Sequence, residues 1–304
     1  MEKVTFTSEG TACAAFLGLP PGGAGKRNPA VVLGHGFGIR KESLIDEAEY
    51  LTAAGFVTLA IDYRTFGESG GEPRGTLFPH NLVEDFRNAI TWLQLRDDVD
   101  PDRIGIWGAS FGGGIVLMTA ALDRRVKAVV AMAPIINGRR WLDSVWGGAR
   151  FEELRDRVAA DRRQRYETGV SGRLPLQAPP GEPAVLINDG ERGNRTAMRS
   201  MAERNRPLLE GTADITIHAV EKVIEWEPDR FIDLISPTPL LIVTPGQWDV
   251  MHRFDHIREA WVRAGEPKKL IPLACEMMEV YMPPWQTRAL EHAAAWYQEH
   301  LAAS

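Results

Sequence analysis

Between Ile104 and Leu122 the chain carries no charged residue, and this stretch constrains the fold more than any other. About 20 apolar residues can cross a bilayer. Here, however, Gly105, Gly108, Gly112, Gly113 and Gly114 break the run in its middle. A strand (Arg103–Trp107), a tight turn and a helix (Phe111–Leu122) account for it better. The flanking sequence repeats that order. Ala30–Leu33, Val57–Ile61 and Val126–Met132 are continuous apolar runs rather than alternating ones, the pattern of a parallel sheet covered on both faces. Helical segments Ser43–Ala54 and Pro79–Leu95 separate them. The order returns late in the chain with Leu240–Thr244, Asp255–Ala264, Lys269–Leu273 and Pro284–Leu301. Two short strands, Val4–Thr7 and Ala12–Leu17, open the chain around a Glu9-Gly10 turn. The expectation is an α/β fold with a doubly wound, mostly parallel sheet.

From about Ile135 to Ile235 the alternation stops. Charge-rich helical sequence such as Phe151–Tyr166 and Pro/Gly stretches such as Pro175–Pro183 take its place. We read residues 1–134 and 236–304 as one core and 135–235 as an inserted helical lid over the strand ends. The 304 residues, 44% hydrophobic and 25% charged, suit one large core with an insert and exclude a disordered or coiled-coil chain. A net charge of −6 gives no pull toward nucleic acid or anionic lipid, so neither is an expected partner. Only Cys13 and Cys275 occur, and the start of the chain lacks an apolar run of signal-peptide length. A reduced, cytoplasmic protein is the expectation. There is no metal-ligand spacing, and Gly112-Gly113-Gly114 lacks both the Walker lysine and the dinucleotide pattern, so no cofactor is expected.

The chemistry concentrates at Gly108-Ala109-Ser110-Phe111-Gly112, a G-x-S-x-G pentapeptide between a strand and a helix. Such a turn strains the serine backbone and lifts its hydroxyl above the sheet. The residues two before and two after must lack bulk. Gly34-His35-Gly36-Phe37-Gly38 follows the strand Ala30–Leu33. A tetrahedral oxyanion needs two backbone N–H donors; the amide of Phe111 and that of Phe37 are the candidates. His35 reads as a loop-packing residue.

These motifs resemble those of the α/β-hydrolase superfamily. Asp62-Tyr63-Arg64-Thr65-Phe66-Gly67-Glu68-Ser69-Gly70 is similar to the D-Y-R-x-F-G-x-S-G loop of the branch holding X-Pro-peptidase-like hydrolases and fungal polyketide transferases. Arg103-Ile104-Gly105-Ile106-Trp107-Gly108 and Ser236-Pro237-Thr238-Pro239-Leu240-Leu241 are similar to the same branch. The resemblance implies Ser110 as nucleophile, an acid a few residues after Leu240–Thr244, hence Asp249, and a histidine after the last strand. It also implies an ester or thioester substrate with an acyl or polyketide-like group.

The histidine is missing from that place. Matching Tyr281 to the branch's G-G-H-F-D-x-Y loop puts Met277 in the histidine slot, and no histidine lies between His256 and His292. Losing the histidine of a comparable triad costs roughly 10^6 in turnover. Three readings therefore stay open. A substitute base is supplied by His252, three residues after Asp249, or by Glu276 beside the empty slot, with His218 and His80 further afield. Alternatively, the same pocket serves a lyase, isomerase or cyclase step, or the chain binds a ligand without turnover. Trp141, Leu142, Val145 and Trp146 suit a sizeable apolar acyl group. The terminal helix and this tryptophan-rich segment are also available for a homodimer contact.

Overall fold

The computed structural model describes residues 1–23, 25–178, 182–186, 214–247 and 249–302. Its centre is an eight-stranded sheet. The strands are β1 (Glu2–Ser8), β2 (Thr11–Gly18), β3 (Asn28–Gly34), β4 (Val57–Ile61), β5 (Val99–Ala109) and β6 (Val126–Met132). After a two-residue ladder of β7 (Arg173–Leu174) with β8 (Ile215–Thr216), β9 (Leu240–Pro245) and β10 (Lys268–Leu273) complete it. The spatial order is β1-β2-β4-β3-β5-β6-β9-β10. β1 and β2 pair antiparallel, β2 meets β4 antiparallel, and every other pairing within this sheet is parallel. The doubly wound, mostly parallel α/β reading holds. The opening hairpin turns at Glu9 (φ 47°) and Gly10 (φ 79°), two left-handed residues that match the twist of its strands.

The unbroken apolar runs have a simple cause. In β3, Ala30 and Val32 join the cluster that holds Ile90 and Ile115, whereas Val31 and Leu33 join the one that holds Leu51 and Tyr297. Successive side chains point to opposite faces, and helices cover both. On the first face lie α2 (Pro79–Gln94) and α3 (Phe111–Leu122), on the other α1 (Ile45–Ala53) and the terminal helix (Trp285–His300). Every residue of α3 from Phe111 to Ala121 is buried. No helix among the described residues is long and apolar enough to cross a membrane.

Between β6 and β9 the chain leaves the sheet. α4 (Gly138–Trp146), N-capped by the Asn137 side chain, buries Trp141, Leu142, Val145 and Trp146. α5 (Ala149–Thr168) buries only Phe151, Leu154 and Asp161, and the rest is a charged face. A shorter helix, α6 (Ile217–Ile224), follows β8. Part of the expected lid, residues 187–213, lies outside the described residues.

Candidate active site

The sheet's winding reverses at β3, which lies between β4 and β5. Ligands in such sheets bind outside the carboxyl ends of the strands at that reversal. Here Gly34 at the end of β3 is paired with Gly108 near the end of β5. The loop holding Phe37 and the turn holding Ser110 therefore leave the sheet side by side.

Ser110 caps α3 with φ 53° and ψ −116°, a conformation that costs a non-glycine residue of order 1–3 kcal/mol. Its surroundings enforce it. A Cβ on Gly108 would sit 2.2 Å from the Gly112 carbonyl oxygen, and one on Gly112 would sit 2.5 Å from that of His35. The Ser110 N–H donates to the Met132 carbonyl (2.9 Å), and the Ser110 carbonyl accepts from Ile135 (2.9 Å). Phe111 begins α3, where first-turn amides have no intrahelical acceptor and the helix dipole favours negative charge. The Phe37 ring meets Phe111 edge-on at 5.2 Å and Trp141 at 5.2 Å. Both phenylalanine side chains are buried, so the two candidate oxyanion donors sit on a clamped backbone.

An ion cluster with Lys41 and Asp62 buried at its centre fixes the far end of the Phe37 loop. The Asp62 carboxylate accepts from the Lys41 backbone N–H (2.7 Å) and from Lys41 Nζ (2.8 Å). Lys41 Nζ also reaches Glu68 (2.7 Å), and the Glu68 N–H returns to Asp62 (2.9 Å). Hydrogen bonds from Lys3 and Lys41 hold the Glu68 carboxyl down at about 2. Gly67 tolerates no Cβ there, since the atom would fall 2.2 Å from Asp62. The D-Y-R-x-F-G-x-S-G loop is thus a brace for the neighbouring backbone. His35 fits the packing role read from sequence. It is buried edge-on to Tyr63 at 4.5 Å, its Nδ1 is 2.9 Å from the Gly36 carbonyl, and burial lowers its pKa.

Asp249 and His252 both come from the loop after β9. Asp249 Oδ1 accepts the Met251 backbone N–H, an Asx-type turn that doubles the chain back. His252 then folds onto the other oxygen, with Nδ1 3.0 Å from Asp249 Oδ2. Its Nε2 faces Ser110 Oγ at 3.4 Å. Asp249 is 2% exposed and His252 1% exposed, so the pair is shielded from competing water. Of the seven histidines, His252 is the one hydrogen-bonded to Ser110 among the described residues. His80 and His218 lie instead against Trp226 and Phe78.

The loop after β10 is where the histidine slot and the second candidate base, Glu276, were expected. Met277 opens a 3-10 turn, Met277–Tyr281, and an empty histidine slot there does not leave Ser110 without an imidazole. Glu276 is engaged with the backbone of this turn. Its carboxylate accepts a backbone N–H of this turn, while Glu279 Oε2 accepts the Glu276 N–H at 2.8 Å, a reciprocal capping box. Tyr281, used in the sequence only to set register, brings its hydroxyl to 3.1 Å from His252 Nε2. Its place at the end of an aligned loop was the one available signal. Cys13 and Cys275 are free and buried, and burial pushes each thiol up to about 12. The described residues contain no cluster of three or more histidine, cysteine or acidic side chains able to hold a metal.

Comparison with known proteins agrees with this architecture. Residues 43–195 match the prolyl oligopeptidase family. A polyketide transferase of Stachybotrys chlorohalonatus is 32% identical over 82% of this chain and 80% of its own. A thiohydrolase of Aspergillus aculeatus is 30% identical over 73% of this chain and 70% of its own. The crystal structure of the alpha/beta hydrolase GrgF from Penicillium sp. sh18 superposes with a TM-score of 0.82 at 25% identity, covering 99% of both chains. A strained serine above a reversed parallel sheet, joined to relatives that span most of the chain, places this protein in the prolyl oligopeptidase family of α/β hydrolases.

Proposed function

We propose that the chain is an ester- or thioester-directed hydrolase or acyltransferase in which Ser110 is the nucleophile, His252 its base and Asp249 the acid that orients the base. The observation that carries this reading is the imidazole strung between Asp249 Oδ2 at 3.0 Å and Ser110 Oγ at 3.4 Å. With Nδ1–H donated to Asp249, Nε2 keeps a lone pair free to receive a proton in the site of Ser110. Ser110 attacks the acyl carbon as its proton passes toward His252, and Asp249 stabilises the imidazolium that forms. The amides of Phe37 and Phe111 receive the oxyanion. The imidazolium returns its proton to the leaving oxygen or sulfur. Water or an acceptor alcohol then releases the acyl group from Ser110. The triad keeps the chain order serine, aspartate, histidine; what is altered is the loop that supplies the histidine, which follows β9 rather than β10.

An acyl thioester of a polyketide-like chain is the substrate class we favour, because similar proteins are named polyketide transferase and thiohydrolase. The buried aromatic cluster of Phe37, Phe111 and Trp141 gives the ground around Ser110 an apolar character that suits such a chain. The segment 135–235 is its lid in this reading. A serine turn bearing backbone strain and a buried Asp–His pair are costly features that a purely binding protein has no need of.

Turnover of aryl esters and N-acetylcysteamine thioesters tests the reading. Wild-type protein should release the thiol or phenol and carry the acyl mass on Ser110, and Ser110→Ala should do neither. Turnover that survives Ser110→Ala would replace it with chemistry that uses no acyl-enzyme.

A further inference from the structure

The loop after β10 brings a second hydroxyl into the site. Tyr281 Oη is nearer to His252 Nε2, at 3.1 Å, than Ser110 Oγ is, at 3.4 Å. The two rings meet edge-on with centroids 5.7 Å apart. The two hydroxyls thus converge on one nitrogen, yet a neutral Nε2 presents one lone pair. Both hydroxyls cannot donate to it well at once. A phenol is the stronger donor, and it can accept from Ser110 while it gives to His252. Burial above all, with the charges of Asp249 and Glu47, pushes the phenol upward, so it keeps its proton at neutral pH.

We propose that Tyr281 is a catalytic residue that relays the proton between Ser110 and His252. This rests on the reading above, in which His252 is the base. At rest, Ser110 Oγ–H donates to Tyr281 Oη and Tyr281 Oη–H donates to Nε2. On attack a bond forms between Oγ and the acyl carbon. The serine proton moves to Oη as the tyrosine proton moves to Nε2, leaving a neutral tyrosine and an imidazolium beside Asp249. On collapse the bond from acyl carbon to leaving group breaks. The departing oxygen or sulfur takes the tyrosine proton while Nε2–H replaces it. No proton is gained or lost over the two half-steps, and no other reactant is required.

The test is a proton inventory, the acylation rate measured in mixtures of light and heavy water with an aryl ester. Wild-type protein should show a curved inventory, two protons in flight. Tyr281→Phe should show a straight one, with kcat/KM lower by about 10^2-fold. A Tyr281→Phe protein that keeps the wild-type rate, or that slows without a change in the inventory, overturns the relay. His252→Gln is measured alongside. If it keeps the wild-type rate, the base assignment has failed; if it is inactive while Tyr281→Phe is unaffected, the relay alone has failed. Should Tyr281→Phe not fold, difluorotyrosine at position 281 keeps the shape and makes the phenol more acidic. The relay then predicts an altered acylation rate, and an unaltered rate overturns it.

Discussion

Two loops leave neighbouring strands on the same edge of the sheet and use their polar side chains in opposite ways. After β9, the two Asp249 carboxylate oxygens take the Met251 amide and the His252 imidazole, and the imidazole points at Ser110. After β10, Glu276 and Glu279 take each other's backbone amides and close a short 3-10 turn. The first loop directs its charge outward to a reacting group, whereas the second consumes its charge locally. A proton acceptor needs to be held at the serine by an acid, but it need not come from a particular strand end. With both proposed partners on the loop after β9, the site needs no histidine after β10, and the loop there presents the phenol of Tyr281.

Substitutions break this contrast in graded steps. His252→Gln should lower turnover by roughly 10^6 while the melting temperature stays near that of the parent, as steady-state ester hydrolysis and thermal unfolding will report. Asp249→Asn removes the charge that orients the imidazole and fixes its tautomer, and turnover should fall by roughly 10^4. Glu276→Gln and Glu279→Gln should leave turnover unchanged and lower stability by about 1 kcal/mol each, read from urea midpoints. A loss of activity in these two variants without a loss of stability would mean that the second loop also directs its charge to the reaction. The smallest effect is expected at Cys275. With its thiol held up at about 12 by burial, the folded protein should resist iodoacetamide below about pH 9 and react only on unfolding.

The sheet was legible because residues such as Val31, Val32 and Leu33 must satisfy two opposite hydrophobic faces, which leaves an unbroken apolar word in the sequence. Ser110 was legible because its turn excludes a Cβ at Gly108 and Gly112, and only glycine satisfies that. Strand ends moved outward by a few residues, as in Val99–Ala109 against the expected Arg103–Trp107, because Val99 still pairs with Asn28 ahead of an irregularity that precedes the regular Ala30–Ile104 register. His252 was one of several candidates, since spacing along a chain does not say where a loop folds. The aspartate, two residues and a histidine do contain the answer in retrospect. An aspartate that binds the amide two residues on reverses the chain and offers its second oxygen to the side chain that follows. Nothing local in the sequence gives Tyr281 its meeting with His252, because that contact joins two loops brought together by the parallel pairing of β9 with β10.

The central claim is that His252 activates Ser110. The rate at which a fluorophosphonate probe attaches to Ser110, followed by intact mass, reads that activation without any need to know the substrate. The account predicts rapid labelling of wild-type protein at Ser110 and a fall of at least about 10^3-fold in folded His252→Gln. Equal labelling rates in the two proteins would contradict it.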